Sequence, residues 1–214
     1  MKRKALIFDL DGTLVNSLPD IAAAMNRSLV KSGLPTFPVE AYREKVGNGV
    51  FKIAERSVGS RTDCFDRVLA DYMADYAQNC AVETYAYPGI PELLASLRQE
   101  SISACVLSNK DEKDVHTVLD FCFPSYPWRL VRGRQDGVPL KPDPAPVLAI
   151  LRQLSLSKAD AAFVGDAAPD IRCGKAAGLC TVGVTWGFRS EEELRENGAD
   201  YIVHRPEEIL RLPL

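Results

Sequence analysis

The stretch LIFDLDG, residues 6–12, constrains the fold more than any other part of the chain. Its apolar residues barely alternate with polar ones, which predicts a short strand covered on both faces, with Asp9, Asp11 and Gly12 at its end. In open α/β sheets, ligands bind in the crevice beyond the carboxyl ends of the strands. Two carboxylates there repel each other unless a metal ion, a hydrogen-bond network or a shared proton compensates them. The stretch alone is compatible with a ligand site or with an acidic, solvated turn.

The size and charge of the chain argue against several classes of protein. With 214 residues it can bury a full core, as one large domain or as a medium domain with a smaller insert. Its net charge of -3 argues against a nucleic-acid partner, and no apolar run approaches the ~20 residues that cross a bilayer. The six cysteines show no C-x-x-C pair and are expected as free thiols. We therefore expect a cytoplasmic protein without nucleic-acid or membrane partners, as a monomer or a homodimer.

The order of predicted elements indicates an α/β fold with a helical insert. After the first strand, the chain shows helix signals but no confident strand, with Ser17 as a candidate N-cap. The predicted helical stretches are 17–33, 40–57 and 63–80. From residue 85 onward, strand and helix patterns alternate, which predicts a Rossmann-like, mostly parallel sheet flanked by helices. We therefore expect an α/β core of residues 1–16 and 85–214, and a small all-helical unit of residues 17–84.

Polar side chains also follow the strands of the second half. ISACVLS ends at Ser108 and Asn109, AAFVGD ends at Asp166 with Asp170 four residues on, and Lys141 lies between them in LKPDP. Each feature alone is more often a helix cap or a surface turn. Because parallel strands point the same way, we expect these side chains at the same edge of the sheet as the first two acids. In this order they form a constellation typical of phosphoryl transfer.

The chemistry of phosphoryl transfer predicts a role for each of these groups. Asp9 is placed to attack phosphorus and form an aspartyl-phosphate, provided that cations neutralise the charge between the two anions. Oxygen ligands from Asp9 and Asp166 suit Mg²⁺, which keeps waters and the substrate phosphate as its other ligands. Lys141 is expected to place positive charge on the phosphoryl oxygens, and the Ser108 hydroxyl to donate a hydrogen bond to them.

Two further aspartates complete the predicted mechanism. Asp11 would protonate the leaving alkoxide and later deprotonate the hydrolytic water. Asp170 lies one helical turn beyond Asp166, where it would orient Lys141 or a metal-bound water without binding the metal itself. The sequence therefore predicts an acid/base catalyst and a supporting carboxylate beside the nucleophile.

Four segments in this order resemble the motifs of the haloacid dehalogenase-like hydrolases: FDLDGTLVNS, VLSNK, LKPDP and VGDAAPD. The resemblance covers essentially the whole chain. The helical insert is similar to the small cap that closes over the site in the phosphoglycolate-phosphatase-like branch, and the C-terminal GVTWGFRSEEELRENGADYIV resembles that branch as well.

The resemblance implies the same catalytic set as the residues themselves. Asp9 corresponds to the nucleophile and Asp11 to the acid/base, whose main-chain carbonyl, rather than its side chain, binds the metal beside Asp9 and Asp166. An aspartate at the second position distinguishes phosphatases from dehalogenases, which lack it. Ala167 departs from the serine or threonine that the family often has there, so one hydrogen bond at the metal is expected to be missing. Asn16 stands where the family often has aspartate, outside the chemistry.

The resemblance also implies which residues bind the substrate. Ser108, Asn109 and Lys141 are expected on the phosphate, and Asn48 in the turn Gly47-Asn48-Gly49 is expected to face the site from the cap. A plain interhelix turn is the alternative for this segment. Four cations surround the turn and would either meet an anionic substrate or form a solvated face: Arg43, Lys45, Lys52 and Arg56.

The expected activity is hydrolysis of a small phosphorylated metabolite by a Mg²⁺-dependent phosphatase, a phosphoric monoester hydrolase, with phosphoglycolate as the first candidate. A pyrophosphatase, a nucleotide or sugar phosphatase and a phosphomutase of the β-phosphoglucomutase type share the same core residues and stay open. A receiver-like signalling module also uses an acceptor aspartate, Mg²⁺, a hydroxyl and a lysine. In a receiver, however, the acceptor follows a middle strand, where this chain has Ser108.

Overall fold

The computed structural model describes residues 3–47 and 49–213. Its strands are β1 (Ala5–Phe8), β2 (Val15–Asn16), β3 (Tyr85–Ala86), β4 (Ser103–Asp111), β5 (Leu130–Arg134), β6 (Ala161–Gly165), β7 (Cys180–Val184) and β8 (Tyr201–Val203). Its α-helices are α1 (Leu18–Lys31), α2 (Val50–Val58), α3 (Phe65–Asn79), α4 (Ile90–Gln99), α5 (Glu112–Cys122), α6 (Ala145–Gln153), α7 (Ala168–Ala177) and α8 (Glu191–Glu196). Short 3-10 helices occupy Val39–Tyr42, Thr62–Cys64, Lys158–Asp160 and Pro206–Arg211. Within the described ranges, no helix combines the length and apolar character needed to cross a membrane.

Six strands form one parallel sheet in the order β5-β4-β1-β6-β7-β8. The strand β1 lies near its middle, where Ala5 pairs with Ser103 of β4 on one side and with Ala161 of β6 on the other. Helices connect the strands on both faces. The predicted α/β class with a mostly parallel sheet is therefore confirmed.

The side chains of β1 explain why this strand lacks polar alternation. Leu6 and Phe8 pack into one apolar cluster, while Ala5 and Ile7 pack into a second cluster on the opposite face of the sheet. All four are buried. A strand in the middle of a sheet covered on both faces reads as a continuous apolar run, because neither face meets water.

A second sheet, of two strands, connects the core to a helical segment at both of its ends. In it β2 and β3 are antiparallel, with Val15 opposite Ala86, and α1, α2 and α3 lie between them in sequence. The carboxylate of Asp20 on α1 accepts hydrogen bonds from three successive main-chain N–H groups, at Val82, Glu83 and Thr84, at 2.9–3.0 Å. This buried carboxylate joins the start of the segment to its end.

The structure corrects two local predictions in this segment. The predicted helix over 40–57 is wrong in its first half, where a 3-10 helix is followed by a turn and α2 begins only at Val50. Gly47 and Gly49 both have positive φ angles, which an ordinary helix does not accommodate. Ser17 precedes α1 but makes no side-chain cap, because its hydroxyl is bound to Asp11 instead.

Candidate active site

Acidic groups meet at the carboxyl ends of two adjacent strands. Asp9 follows β1, Asp166 follows β6, and Asp170 lies in the first turn of α7. Each of the three offers a carboxylate oxygen within 4.8 Å of the others, and all three are buried. Parallel pairing of β1 with β6 brings these residues together, although more than 150 positions separate the first from the last.

A buried lysine lies between two of these carboxylates. Its Nζ atom, on Lys141, is 2.7 Å from Oδ1 of Asp9 and 2.7 Å from Oδ1 of Asp170. The other oxygen of Asp170 accepts the main-chain N–H of Ala167 at 3.0 Å. Both oxygens of Asp170 are therefore engaged by the protein, one of them by Lys141. That Asp170 orients this lysine during the reaction stays a prediction.

Asn109 contacts the main chain of the loop that carries Lys141. Its side-chain amide donates to the Lys141 carbonyl oxygen at 3.1 Å and accepts the Lys141 N–H at 2.9 Å. This pairing uses both ends of the amide. This contact positions the lysine loop. Ser108 is buried, and both Ser108 and Asn109 line the cavity described below, so a contact of Asn109 with substrate stays a prediction.

Asp11 is held by groups from both the sheet and the insert. Its Oδ1 atom accepts the Ser17 hydroxyl at 2.5 Å and the Lys110 ammonium at 2.7 Å. The same ammonium donates to the Tyr76 hydroxyl of α3 at 2.6 Å. These bonds form a continuous chain from Tyr76 of the helical insert, through Lys110 of the core, to Asp11. The side chain of Lys110 is buried.

Asp166 is enclosed by small residues and hydrogen-bond donors. Phe188 donates its main-chain N–H to Oδ2 at 2.8 Å, and the Thr13 hydroxyl donates to Oδ1 at 3.2 Å. A Cβ atom added to Gly12 would lie 2.3 Å from Asp166 Oδ2, and one added to Gly187 would lie 2.4 Å from Asp166 Cβ. Only glycine allows the two loops to approach this carboxylate so closely.

The electrostatics of the site show a deficit of positive charge. Burial, and after it repulsion from Asp170, raises the pKa of Asp9 well above its ordinary value. The same two causes, in the same order, raise the pKa of Asp166 to about 7. Burial lowers the pKa of Lys141, but the Asp170 and Asp9 carboxylates outweigh it, so the net shift is upward and the ammonium stays charged.

This donor set fits a divalent cation. Three buried carboxylates lie together, and the one lysine between Asp9 and Asp170 does not fully compensate their charge. Hard oxygen donors of this kind suit Mg²⁺, which binds through one or two carboxylates and keeps several waters. The acidic cluster is therefore a candidate metal site, with Asp9 and Asp166 as its more available carboxylates, because both oxygens of Asp170 are already bound by the protein.

The acidic cluster lies in a cavity of about 250 Å³. Residues of the helical insert cover this cavity and form its roof. The roof is mostly apolar and includes Ile21, Val50, Ile53 and Met73. Gly47 and Gly49 also line it, whereas Asn48, the predicted substrate contact between them, lies outside the described residues.

The four cations of the insert are bound elsewhere and are not among the described residues that line the cavity. Lys52 pairs with Glu55 at 2.5 Å, and Lys45 donates to the carbonyl oxygen of Arg56 at 2.9 Å. Arg56 donates in turn to the carbonyl oxygen of Lys45, and Arg43 pairs with Glu40. Lys52 and Arg56 are exposed, as expected of a solvated face, whereas Arg43 also donates to the carbonyl oxygen of Gly187 in the core.

Three residues at the site were not assigned a role from the sequence: Lys110, Tyr76 and Arg189. Lys110 directly follows Ser108 and Asn109, so its position at the end of the same predicted strand could have indicated that it lies at the site. Arg189 follows β7, another strand of the same sheet edge, and lines the cavity. Tyr76 gave no usable signal, because a tyrosine at helical spacing in an insert reads as a core residue.

Comparison with known proteins is consistent with this site. A family model described as haloacid dehalogenase-like hydrolase matches residues 6–184. The chain is 34% identical over 192 residues to the phosphoglycolate phosphatase of Pseudomonas putida, covering 86% of this chain and 70% of that protein. It is 30% identical over 209 residues to the phosphoglycolate phosphatase of Psychrobacter arcticus, covering 92% and 89% of the two chains.

A solved structure is similar over nearly the whole length. The crystal structure of a candidate phosphoglycolate phosphatase from Lactobacillus delbrueckii subsp. bulgaricus matches with a TM-score of 0.91 at 28% identity, covering 98% of this chain and 97% of that one. The family resemblance inferred from the four sequence motifs is therefore confirmed. The chain belongs to the haloacid dehalogenase-like hydrolases.

Proposed function

We propose that this protein is a Mg²⁺-dependent phosphatase that hydrolyses a small phosphomonoester through an aspartyl-phosphate. The main support is the bridge from Lys141 to Asp9 and Asp170, 2.7 Å on each side, directly beside Asp166. Such a group of acids and one cation suits a phosphoryl group, whose charge is spread over three oxygens. Phosphoglycolate is the first compound to test, because the similar proteins of P. putida and P. arcticus are phosphoglycolate phosphatases.

The proposed nucleophile is Oδ2 of Asp9. Its other oxygen, Oδ1, accepts both the Lys141 ammonium and the main-chain N–H of Leu10, each at 2.7 Å. Among the described residues, Oδ2 accepts no such bond and is the oxygen available for attack. A bond forms between Oδ2 and phosphorus while the bond from phosphorus to the alcohol oxygen breaks.

Asp11 is the proposed acid and base. It gives a proton to the leaving alkoxide in the first step and takes one from the attacking water in the second. That water then forms a bond to phosphorus, the bond to Asp9 breaks, and inorganic phosphate leaves. Ser17 and Lys110 both bind Oδ1 of Asp11, and Oδ2 is the oxygen proposed to exchange the proton.

Asp9, Asp166 and the main-chain carbonyl of Asp11 are the residues proposed to hold Mg²⁺. The cation supplies the positive charge that the site lacks when a phosphate dianion approaches the carboxylates. Asp170 stays outside the ligand set in this proposal, because its oxygens are already bound to Lys141 and to the N–H of Ala167. Ser108 and Lys141 are proposed to bind the phosphoryl oxygens.

Residues 17–84 are proposed to act as a cap on a core of residues 1–16 and 85–214. The two-stranded sheet of β2 and β3 and the Asp20 contacts join the two ends of this segment, so that it can move as one unit. Closure of such a unit would exclude water from the phosphoryl group. Asn48 is kept as a proposed substrate contact of the cap.

Phosphate release from a panel of esters, with and without Mg²⁺, tests this function. We expect release that depends on the cation, and a fall in kcat on the order of a thousandfold or more for Asp9→Asn. Asp63→Asn, an exposed acid on the insert, is the matched control and should leave kcat unchanged. Turnover by Asp9→Asn at the normal rate would refute the nucleophile. Isomerisation of a phosphosugar without net phosphate release would indicate a mutase instead.

A further inference from the structure

Asp114 is a buried acid in the cavity that the proposed mechanism does not use. It lies in the first turn of α5, is 9% exposed, and lines the same cavity as Asp9. Its carboxylate has no hydrogen-bond or ion-pair partner among residues 3–47 and 49–213. Burial raises its pKa, as expected for a carboxyl group without a bonded partner. Because Asp114 lines the cavity, a molecule bound there can supply the partner that the described residues do not.

Tyr72 on α3 presents a second such group to the cavity. The residue is 3% exposed, and its hydroxyl has no partner among the described residues. Its ring stacks on Tyr76 with centroids 5.4 Å apart. Of these two tyrosines, Tyr76 has its hydroxyl bound to Lys110, whereas the hydroxyl of Tyr72 stays open toward the cavity.

Asp114 lies on α5 of the core and Tyr72 on α3 of the helical insert, and both line the same cavity. Burial, and after it the neighbouring Tyr76, raises the pKa of Tyr72, and the charges of Asp11 and Asp114 add to the shift. Among the described residues, Lys110 donates to Asp11 and Tyr76 and makes no hydrogen bond to Asp114, and its charge only partly offsets the effect of burial on the pKa of Asp114. One acceptor and one hydroxyl therefore line the cavity beside the polar site of Asp9 and Lys141 on one side and the apolar side chains of the insert on the other.

We propose that Asp114 and Tyr72 form a subsite for a hydroxyl group on the alcohol portion of the substrate. The substrate hydroxyl would donate to Asp114 and accept from Tyr72, while the apolar roof, including Ile53 and Met73, would cover its carbon skeleton. A carboxylate at the same place would be repelled by Asp114. The subsite rests on the proposed phosphatase function and adds a substrate class, phosphomonoesters of polyols and other hydroxylated alcohols.

Three esters, each assayed with Mg²⁺, distinguish an effect on substrate binding at the subsite from an effect on phosphoryl transfer. They are glycerol 1-phosphate, ethyl phosphate and phosphoglycolate. We expect glycerol 1-phosphate to have a kcat/KM about tenfold or more above ethyl phosphate, since one hydrogen bond to a charged group has this value. Asp114→Ala and Tyr72→Phe should remove most of that advantage through KM and leave ethyl phosphate nearly unchanged. Asp120→Asn, exposed on the same helix, is the control.

Asp114→Asn keeps an acceptor and removes the charge, so it provides a second, gentler test. It should retain turnover of glycerol 1-phosphate and raise kcat/KM for phosphoglycolate about tenfold. The subsite is wrong if Asp114→Ala and Tyr72→Phe lower kcat/KM equally for glycerol 1-phosphate and ethyl phosphate, since Asp114 would then act through Lys110 or the fold. It is also wrong if wild type prefers phosphoglycolate and Asp114→Asn does not change that preference. Absence of release from all three esters would overturn the phosphatase itself.

Discussion

Arg189 donates to the main-chain carbonyl oxygen of Val46, with 2.6 Å between Nη2 and the oxygen. Arg43 of the insert donates in the opposite direction, to a carbonyl oxygen of the loop after β7, at 2.9 Å. The same loop holds Asp166 through the N–H of Phe188. The position of the helical insert is therefore coupled to the carboxylate proposed to bind the metal.

Replacing Arg189 with alanine is expected to loosen this contact. We expect KM for the phosphoester to rise about tenfold, since a charge-assisted hydrogen bond is lost, and the Mg²⁺ concentration for half-maximal rate to rise with it. Steady-state kinetics over a range of Mg²⁺ concentrations measure both. Arg195→Ala is the control, because this exposed arginine pairs with Glu191, one turn away on the same helix. Equal effects of the two variants would contradict the coupling.

Lys110→Met tests whether this lysine positions Asp11. We expect kcat to fall about 10- to 100-fold with KM little changed, because the acid would lose a charged hydrogen-bond partner. An ester with a good leaving group, such as p-nitrophenyl phosphate, should lose much less, since it needs little protonation. Tyr76→Phe removes only one contact of Lys110 and should have a smaller effect. The same loss for ethyl and p-nitrophenyl phosphates would show that Lys110 does not act through Asp11.

The metal-free protein is expected to lose stability as the pH rises. Burial, and then repulsion from Asp170, raises the pKa of Asp166 to about 7, so the folded state keeps a proton that the unfolded state releases near pH ~4. The free energy of unfolding should therefore fall between pH ~4 and ~7, because the folded state binds more protons. Scanning calorimetry should show Tm falling over this range, and a larger stabilisation by Mg²⁺ at higher pH. Asp166→Asn should flatten both trends; a metal-free Tm that rises with pH would contradict the prediction.

Asp20→Ala is expected to destabilise the fold. The Asp20 carboxylate accepts three successive N–H groups and the Thr84 hydroxyl, and this variant leaves all four donors without that acceptor, those of Thr84 in a buried position. We expect a loss of about 3 kcal/mol and a fall in Tm of roughly 6–12 °C. Thermal melts against Asp66→Ala, an exposed acid in the first turn of α3, provide the comparison, with an expected change within about 1 kcal/mol. Similar melts for the two variants would contradict the joining role.

Much of the architecture follows from local patterns. An apolar run without alternation, such as residues 5–8, indicates a strand buried on both faces, and alternating strands and helices require a parallel sheet. Because the carboxyl ends of parallel strands share one edge, Asp9, Ser108 and Asp166 could be expected together before any coordinates. Their order along the chain was also enough to recognise the family.

Local sequence pattern did not predict the hydrogen-bond partners of polar side chains that can bind more than one group. Ser17 stands where an N-cap belongs, yet its hydroxyl binds Asp11, since the β2 turn brings that carboxylate back beside it. Asn109 reads as a substrate contact, yet its amide bonds the main chain of Lys141, 32 positions away. The sequence pattern names the donors and acceptors in these cases but leaves their pairing open.

The sequence by itself determined the fold class, the family and the set of chemical groups available for phosphoryl transfer, because these depend on periodicity and on residue identity at strand ends. Only the tertiary structure decided how that set is supported: Lys110 reaches from the core to Tyr76 of the insert, and Arg189 reaches to Val46. Such contacts join segments that are far apart in the chain. Their geometry depends on how the insert packs over the sheet, which no local pattern specifies.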